Sequence, residues 1–152
     1  MIRRRAVTVS TSNADDAAYR ALRDVAIATE DIPDARVVGG QMVGLLVTAF
    51  PTGPAIIRRT ADADAAVSTQ VAASGALHTA FIAAGYQPKR GSRYESEDGR
   101  AIDVLVPSDN RFRQVELGGR GFDAVPGLRL IFAADPILID LDVTLRMTRG
   151  CT

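Results

Sequence analysis

The order of the hydrophobic patterns along the 152-residue chain constrains its fold more than any other feature. In the first half, apolar residues recur at helical spacing, as Ala18, Leu22 and Val25 do in segment 13–29. In the second half, apolar and polar residues alternate, most clearly in segment 137–147, which is typical of a strand with one buried face. Early helices and late strands favour an α+β domain, with a mixed sheet flanked by helices, over a doubly wound fold.

The predicted elements cover most of the chain. Helices are predicted over 13–29, 41–50 and 69–84, and strands over 35–38, 58–67, 100–106, 113–117, 128–132 and 137–147. Segment 41–50 is apolar on nearly all sides, which indicates a buried helix. Asn13 is predicted to cap the first helix, Gly85 to end the third, and Pro107 to stop the strand before it. Asp98-Gly99 is the strongest hairpin signal.

Composition narrows the class of protein. The length predicts a single domain over residues 1–152. Eighteen basic residues balance eighteen acidic ones, which argues against bulk electrostatic binding of nucleic acid. No apolar run is long enough for a membrane span, and no apolar segment of a secretory signal follows Arg3-Arg4-Arg5. Cys151 is the single cysteine, so no intrachain disulfide forms, and we expect a cytoplasmic location.

Three groups of residues are candidates for one chemical site. Gly39-Gly40 falls between a predicted strand and helix, where a backbone can approach an anion. Asp62 and Asp64 share one face of a predicted strand, and two such carboxylates repel each other unless a cation lies between them. Asp103 interrupts another apolar strand, so three carboxylates meet if the two strands are neighbours. Each signal alone is typical of an ordinary turn, a solvated strand or a surface aspartate.

Taken together, these segments resemble a known family. Val37-Val38-Gly39-Gly40, the run from Arg58 to Asp64 and Ala101-Ile102-Asp103-Val104-Leu105 resemble the nucleotidyltransferase superfamily with the DNA polymerase β-like fold. The resemblance is greatest to minimal bacterial nucleotidyltransferases that include the toxins of AbiE-type (type IV) toxin–antitoxin systems. Their pattern is an apolar strand, two small residues, a helix, Arg-x-Thr-x-Asp-x-Asp and a later Asp on another strand. The resemblance covers about residues 35 to 106.

The resemblance implies roles for individual residues. Gly39 and Gly40 would cradle the triphosphate of a nucleotide. Asp62, Asp64 and Asp103 would bind Mg²⁺ or Mn²⁺ and form the catalytic centre, with Asp103 polarising the attacking hydroxyl.

Two further residues match the nucleotide-binding part of the pattern. Arg58 would brace the carboxylates or pair with phosphate, and the hydroxyl of Thr60 would orient the strand or an aspartate. We expect the supporting role for both residues rather than direct contact with the nucleotide.

The implied activity is the metal-dependent transfer of a nucleoside monophosphate from a nucleoside triphosphate, such as ATP, to a hydroxyl, with release of pyrophosphate. The implied acceptor is RNA, including a tRNA end, and the implied protein partner is an antitoxin. Many relatives continue into a helical region that helps to hold nucleotide and acceptor, and the sequence shows no counterpart after the last predicted strand. We therefore expect an acceptor site that is incomplete or completed by a partner, or a chain that is a fragment.

Two other functions remain open. The chain could be a catalytically degenerate module that binds a nucleotide or partner, or an antibiotic-modifying nucleotidyltransferase with an acidic pocket made by Glu95, Glu97 and Asp98. His78 stands alone in a helix and is predicted to fill space rather than bind a ligand. The basic segments 3–5 and 89–93 are candidates for contact with RNA, although solvated charge is the simpler interpretation.

Overall fold

The computed structural model describes residues 1–54 and 59–146. These residues contain nine strands and five helices. Their order is β1 (Ile2–Val9), α1 (Asn13–Ala28), β2 (Ala35–Val38), α2 (Gly39–Ala49), β3 (Ala63–Val67), α3 (Thr69–Ser74), α4 (Ala76–Ala83), β4 (Tyr86–Pro88), β5 (Arg93–Ser96), β6 (Ala101–Ser108), β7 (Arg113–Leu117), β8 (Arg120–Pro126), α5 (Leu128–Ala133) and β9 (Ile137–Thr144).

A seven-stranded mixed sheet forms the centre of the structure. Its main path runs β2-β3-β6-β5-β4, and β8 pairs with β6 beyond the end of β5, with β7 beside β8. Strand β6 is parallel to β3 and β8 and antiparallel to β5, while β2 is antiparallel to β3. The structure is therefore an α+β fold with a mixed sheet flanked by helices, as the order of the hydrophobic patterns predicts.

The two faces of this sheet are covered unequally. Val104 on β6 packs with Val25 of α1 and Phe81 of α4 in the larger core. On the opposite face, Leu128 of α5 packs with Val38 and Ala66 in a smaller cluster. Side chains alternate along a strand, so the residues that lie two positions before the members of this cluster on β3 and β6 point to the same face of the sheet. That stretch of the sheet holds the candidate site.

A separate two-stranded parallel sheet joins the two ends of the described chain. Strands β1 and β9 pair from Ile2 opposite Ile137 to Val9 opposite Thr144, and β1 lies against α2. On its outer face, Arg3 pairs with Asp140 and Arg5 pairs with Asp142. The basic start of the chain, for which no strand was predicted, is thus part of a strand with internal ion pairs.

Several helix predictions need correction. Ser12, rather than Asn13, caps α1, and its side chain accepts a hydrogen bond from the backbone of Asp15. The helix predicted over 69–84 is broken at Gly75, whose φ of 75° is left-handed, so α3 and α4 are separate. Helix α2 is less buried than predicted: only Gln41 is buried among its residues.

The strand predictions also change. Segment 128–132 is the helix α5, because a short apolar run fits either structure and its burial against β2 and β6 decides between them. Pro107 does not stop β6, which continues to Ser108 beside the unpredicted strand β8. Strand β3 begins only at Ala63, and β9 ends at Thr144.

No helix within the described ranges combines the length and the apolar character needed to cross a membrane.

Candidate metal centre

Pairing between strands places Asp64 and Asp103 side by side. Asp64 on β3 lies directly opposite Asp103 on the parallel strand β6. On its other side Asp64 lies opposite Val38, the last residue of β2, and Asp103 in turn lies opposite Arg93 on β5. Residues directly opposite each other point to the same face of a sheet. The register alone therefore brings two carboxylates and a guanidinium together in the partly exposed stretch of the smaller-core face.

The third carboxylate joins them from the end of a strand. Asp62 lies just before β3 rather than within it, yet carboxylate oxygens of Asp62, Asp64 and Asp103 all lie within 4.8 Å of one another. The convergence predicted for these three residues is therefore observed. All three residues are partly exposed, which leaves the cluster open to solvent.

The first two residues of α2, Gly39 and Gly40, lie against this cluster; the helix begins two residues before the predicted start at 41. Gly39 has a φ of 69°, a left-handed conformation that favours glycine. A Cβ added at Gly39 would lie 2.1 Å from Oδ2 of Asp64, and one added at Gly40 would lie 2.0 Å from Cγ2 of Thr60. Both glycines are thus required by close approach to the segment that carries the carboxylates, so the predicted turn and the predicted aspartates form one structural unit.

Arg93 is the residue of this cluster that the sequence reasoning did not assign to the site. Its Nη1 donates to Oδ2 of Asp103 at 3.0 Å and to Oδ2 of Asp62 at 3.2 Å. Its Nε donates to Oε1 of Glu95 at 2.8 Å. A signal was present in the predicted hairpin, because a turn centred on Asp98 sets Arg93 opposite Asp103.

The cluster holds more negative groups than positive ones, with three carboxylates and one guanidinium. Burial raises the pKa of Asp64 to about 6, and the nearby charges of Asp62 and Asp103 add to the effect. Burial also raises the pKa of Asp103, although Arg93 opposes that rise. One guanidinium, shared with Glu95, does not balance three carboxylates, so the cluster favours an additional cation or protons.

Of the two predicted supporting residues, Thr60 lies within the described part of the chain and Arg58 does not. The hydroxyl of Thr60 donates to the backbone carbonyl of Asp62 at 3.3 Å, and its methyl group lies against Gly40. Arg58 lies outside the described residues, so its expected role stays a prediction. The neighbouring Arg59 pairs with the buried Asp15 of α1 at 2.8 Å, which ties the segment before β3 to that helix.

The other sequence candidates have structural partners. Glu95 pairs with Arg93, and Asp98 pairs with Arg100, so two of the three carboxylates considered for an acidic pocket form ion pairs within the protein. His78 shares a hydrogen bond of 3.0 Å with the hydroxyl of Tyr94. That contact agrees with the prediction that His78 is a packing residue.

Comparisons with protein-family models, curated proteins and solved structures gave no significant match to this chain. The functional interpretation therefore rests on the residues and geometry of the cluster.

Proposed function

We propose that this protein is a nucleotidyltransferase with a polymerase β-like core, which moves a nucleoside monophosphate from a nucleoside triphosphate to a hydroxyl and releases pyrophosphate. The observation that carries the proposal is the meeting of Asp62, Asp64 and Asp103 within 4.8 Å, with Asp64 held against Gly39 at the start of α2. A triphosphate-binding turn and a carboxylate cluster are the two parts that this chemistry requires.

The donor set fits a hard divalent cation. Three carboxylates supply only oxygen ligands, which suit Mg²⁺ or Mn²⁺ rather than a metal that prefers sulfur or imidazole. The raised pKa values of Asp64 and Asp103 are the expected result of carboxylates that are short of positive charge. Asp62, Asp64 and Asp103 would hold the ion.

The chain's own residues would divide the work of the reaction. When bound, the metal ion supplies Lewis-acid stabilisation of charge on the reacting oxygens. The acceptor oxygen attacks the α-phosphorus, the bond between that phosphorus and the pyrophosphate oxygen breaks, and the carboxylate of Asp103 accepts the hydroxyl proton. Backbone N–H groups at the start of α2, beside Gly39 and Gly40, would bind the phosphates that depart as pyrophosphate.

Thr60 and Arg58 complete the proposed nucleotide-binding set as supporting residues. Thr60 holds the carbonyl of Asp62 and fills the space beside Gly40, which fixes the segment entering β3 relative to the turn. Arg58 would brace the carboxylates or pair with phosphate, as the family pattern implies.

The acceptor and setting extend the proposal by analogy with the family. RNA, including a tRNA end, is the proposed acceptor, an antitoxin is the proposed protein partner, and a cytoplasmic location is expected because nucleoside triphosphates are available there. These extensions rest on fold-level resemblance.

Labelling tests the proposed activity directly. The protein is incubated with Mg²⁺, each α-labelled nucleoside triphosphate and one of three acceptors (total RNA, total protein or an aminoglycoside), beside Asp62→Ala/Asp64→Ala. Asp140→Ala is the control, because Asp140 is an exposed aspartate on β9, outside the cluster. We expect label transfer by the wild type and the control, and loss of at least a thousandfold in the double variant.

Three results would contradict parts of this assignment. Labelling by the double variant at the level of the wild type would show that Asp62 and Asp64 do not take part in the reaction. Nucleotide binding without transfer to any RNA, protein or aminoglycoside acceptor would favour the degenerate binding module, whereas transfer to an aminoglycoside alone would favour the antibiotic-modifying enzyme.

A further inference from the structure

Arg93 occupies the gap between two of the proposed metal-binding carboxylates. A single guanidinium nitrogen, Nη1, contacts Oδ2 of both Asp62 and Asp103, at 3.2 and 3.0 Å. Asp62 and Asp103 are also two of the three residues whose carboxylate oxygens lie within 4.8 Å of one another. A positive side chain at this place satisfies the same charge requirement as a bound cation, so arginine and cation compete for the same carboxylates.

Arg93 is held in a way that permits its release. Its side chain is 37% exposed, and the side chains of Asp62 and Asp103, the partners it would leave, are 31% and 20% exposed. The other arginine of the same hairpin behaves differently: Arg100 is only 16% exposed and lies against the Tyr86 ring while it pairs with Asp24. The contacts of Arg93 with Asp62 and Asp103 are more open to water than the contact of Arg100 with Asp24, so Arg93 leaves its carboxylates at a lower cost than Arg100 would.

Glu95 determines where a released Arg93 would remain. It lies two residues along β5, on the same face as Arg93, and it contacts Nε rather than the nitrogen that bridges the carboxylates. Loss of the Nη1 contacts would therefore leave the arginine tethered beside the cluster with its outer nitrogens unpaired. A planar guanidinium with free N–H groups is well suited to phosphate oxygens.

We propose that Arg93 is an internal counter-ion that a divalent cation displaces from Asp62 and Asp103, and that the displaced guanidinium then binds the phosphates of the nucleotide. This inference rests on the proposed function and deepens it, because it couples metal binding to nucleotide binding through one side chain. It makes Arg93 a phosphate-binding residue in the loaded state and a competitor of the metal in the unloaded state.

Binding measurements on the full chain test this exchange without reference to activity. Mn²⁺ affinity, and the affinity of a non-hydrolysable ATP analogue in saturating Mn²⁺, are measured by calorimetry for the wild type, Arg93→Met and Arg90→Met. Arg90 is the matched control, because it is an exposed arginine between β4 and β5, close to Arg93 in the chain, with no ion pair among the described residues. We expect Arg93→Met to bind Mn²⁺ about tenfold more tightly and the analogue about tenfold more weakly, and Arg90→Met to change both by less than threefold.

The outcomes separate this inference from the proposed function. If the wild type binds Mn²⁺ and Arg93→Met binds it equally well or more weakly, the proposed exchange is wrong and the proposed metal centre is unaffected. Failure of both proteins to bind Mn²⁺ overturns the metal centre and the exchange together. Tighter Mn²⁺ binding without weaker binding of the analogue overturns the phosphate-binding role.

A second variant covers the case in which Arg93→Met does not fold. Arg93→Gln removes the charge of Arg93 but keeps an amide that can donate to a carboxylate oxygen. We expect Mn²⁺ affinity between those of the wild type and Arg93→Met, with the circular dichroism spectrum unchanged. Mn²⁺ affinity equal to that of the wild type would overturn the proposal by itself.

Discussion

Asp64 and Asp103 lie directly opposite each other on the parallel strands β3 and β6. Two carboxylates in this relationship repel each other, which costs stability in the absence of a cation. The sheet nevertheless keeps them in register because their neighbours Ala65 and Val104 are buried in the larger core. Packing on one face of the sheet thus enforces an unfavourable charge arrangement on the other.

Gly39→Ala is expected to weaken metal binding. The added Cβ would lie 2.1 Å from Oδ2 of Asp64, so that carboxylate must move. Gly75→Ala is the matched control, since its φ of 75° is close to the 69° of Gly39 and nothing lies within 4 Å of its added Cβ. Both variants should lose about 1 kcal/mol of unfolding free energy through backbone strain. Only Gly39→Ala should lose Mn²⁺ affinity, by about tenfold or more; equal affinities in calorimetry would contradict the predicted contact.

Asp64→Asn is expected to stabilise the metal-free protein above pH 6. Burial and the charges of Asp62 and Asp103 raise the pKa of Asp64 from 3.8 to about 6, so the folded state binds the proton more tightly than the unfolded state. The stabilisation from this proton is complete below pH 3.8 and is lost as the pH rises through 6. At pH 7.5 the variant should therefore gain about 1 kcal/mol, a value reduced for partial solvent exposure.

Urea unfolding in EDTA at pH 4 and pH 7.5 measures this difference. Asp140→Asn is the control, because pairing with Arg3 lowers the pKa of that carboxyl and no gain at pH 7.5 is expected. A stability difference between wild type and Asp64→Asn that is the same at both pH values would be inconsistent with the raised pKa.

Asp24→Ala is expected to destabilise the fold strongly. Oδ2 of Asp24 accepts hydrogen bonds from the hydroxyl of Tyr86 and from Nη1 of Arg100, both at 2.6 Å. The side chains of Asp24 and Arg100 are only 11% and 16% exposed, so removal of the carboxylate leaves Arg100 with little access to water and with the exposed Asp98 as its remaining ion-pair partner. We expect a loss of about 3 kcal/mol in chemical denaturation.

The exposed pair of Arg3 and Asp140 provides the comparison for Asp24. Their side chains are 70% and 56% exposed, and Asp140→Ala should leave the unfolding free energy almost unchanged. A similar loss in the two variants would show that burial does not govern these ion pairs.

His78 is expected to titrate below its ordinary pKa. Partial burial, with the nearby charge of Arg120, lowers the pKa of this imidazole from 6.5, so the folded state favours the neutral ring. The stability contributed by the neutral ring is complete above pH 6.5 and declines as the pH falls toward the lower folded-state pKa. Because His78 is the only histidine, its proton resonances can be followed by NMR without assignment. A midpoint at or above that of the urea-unfolded chain would refute the prediction.

Local signals in the sequence predicted much of the site. The helical spacing of 13–29, the Gly-Gly turn, the Asp-x-Asp segment and the Asp98-Gly99 hairpin all depend on residues close together in the chain, and each matches the structure at its centre. Errors occurred where short apolar segments were ambiguous, as in 128–132, or where a glycine could end a helix early, as Gly75 does. Local patterns report the periodicity of burial and not the partner that supplies it.

The sequence by itself determined which chemical groups are available: two adjacent glycines, three aspartates in two short segments and a balanced net charge. Only the tertiary structure decided that β3 and β6 are neighbours in a register that sets Asp64 opposite Asp103. It also decided that, of the two arginines in the β5–β6 hairpin, Arg93 enters the carboxylate cluster while Arg100 braces the core. The physical reason is that strand register and the choice of ion-pair partner depend on packing between distant segments, which no local spacing encodes.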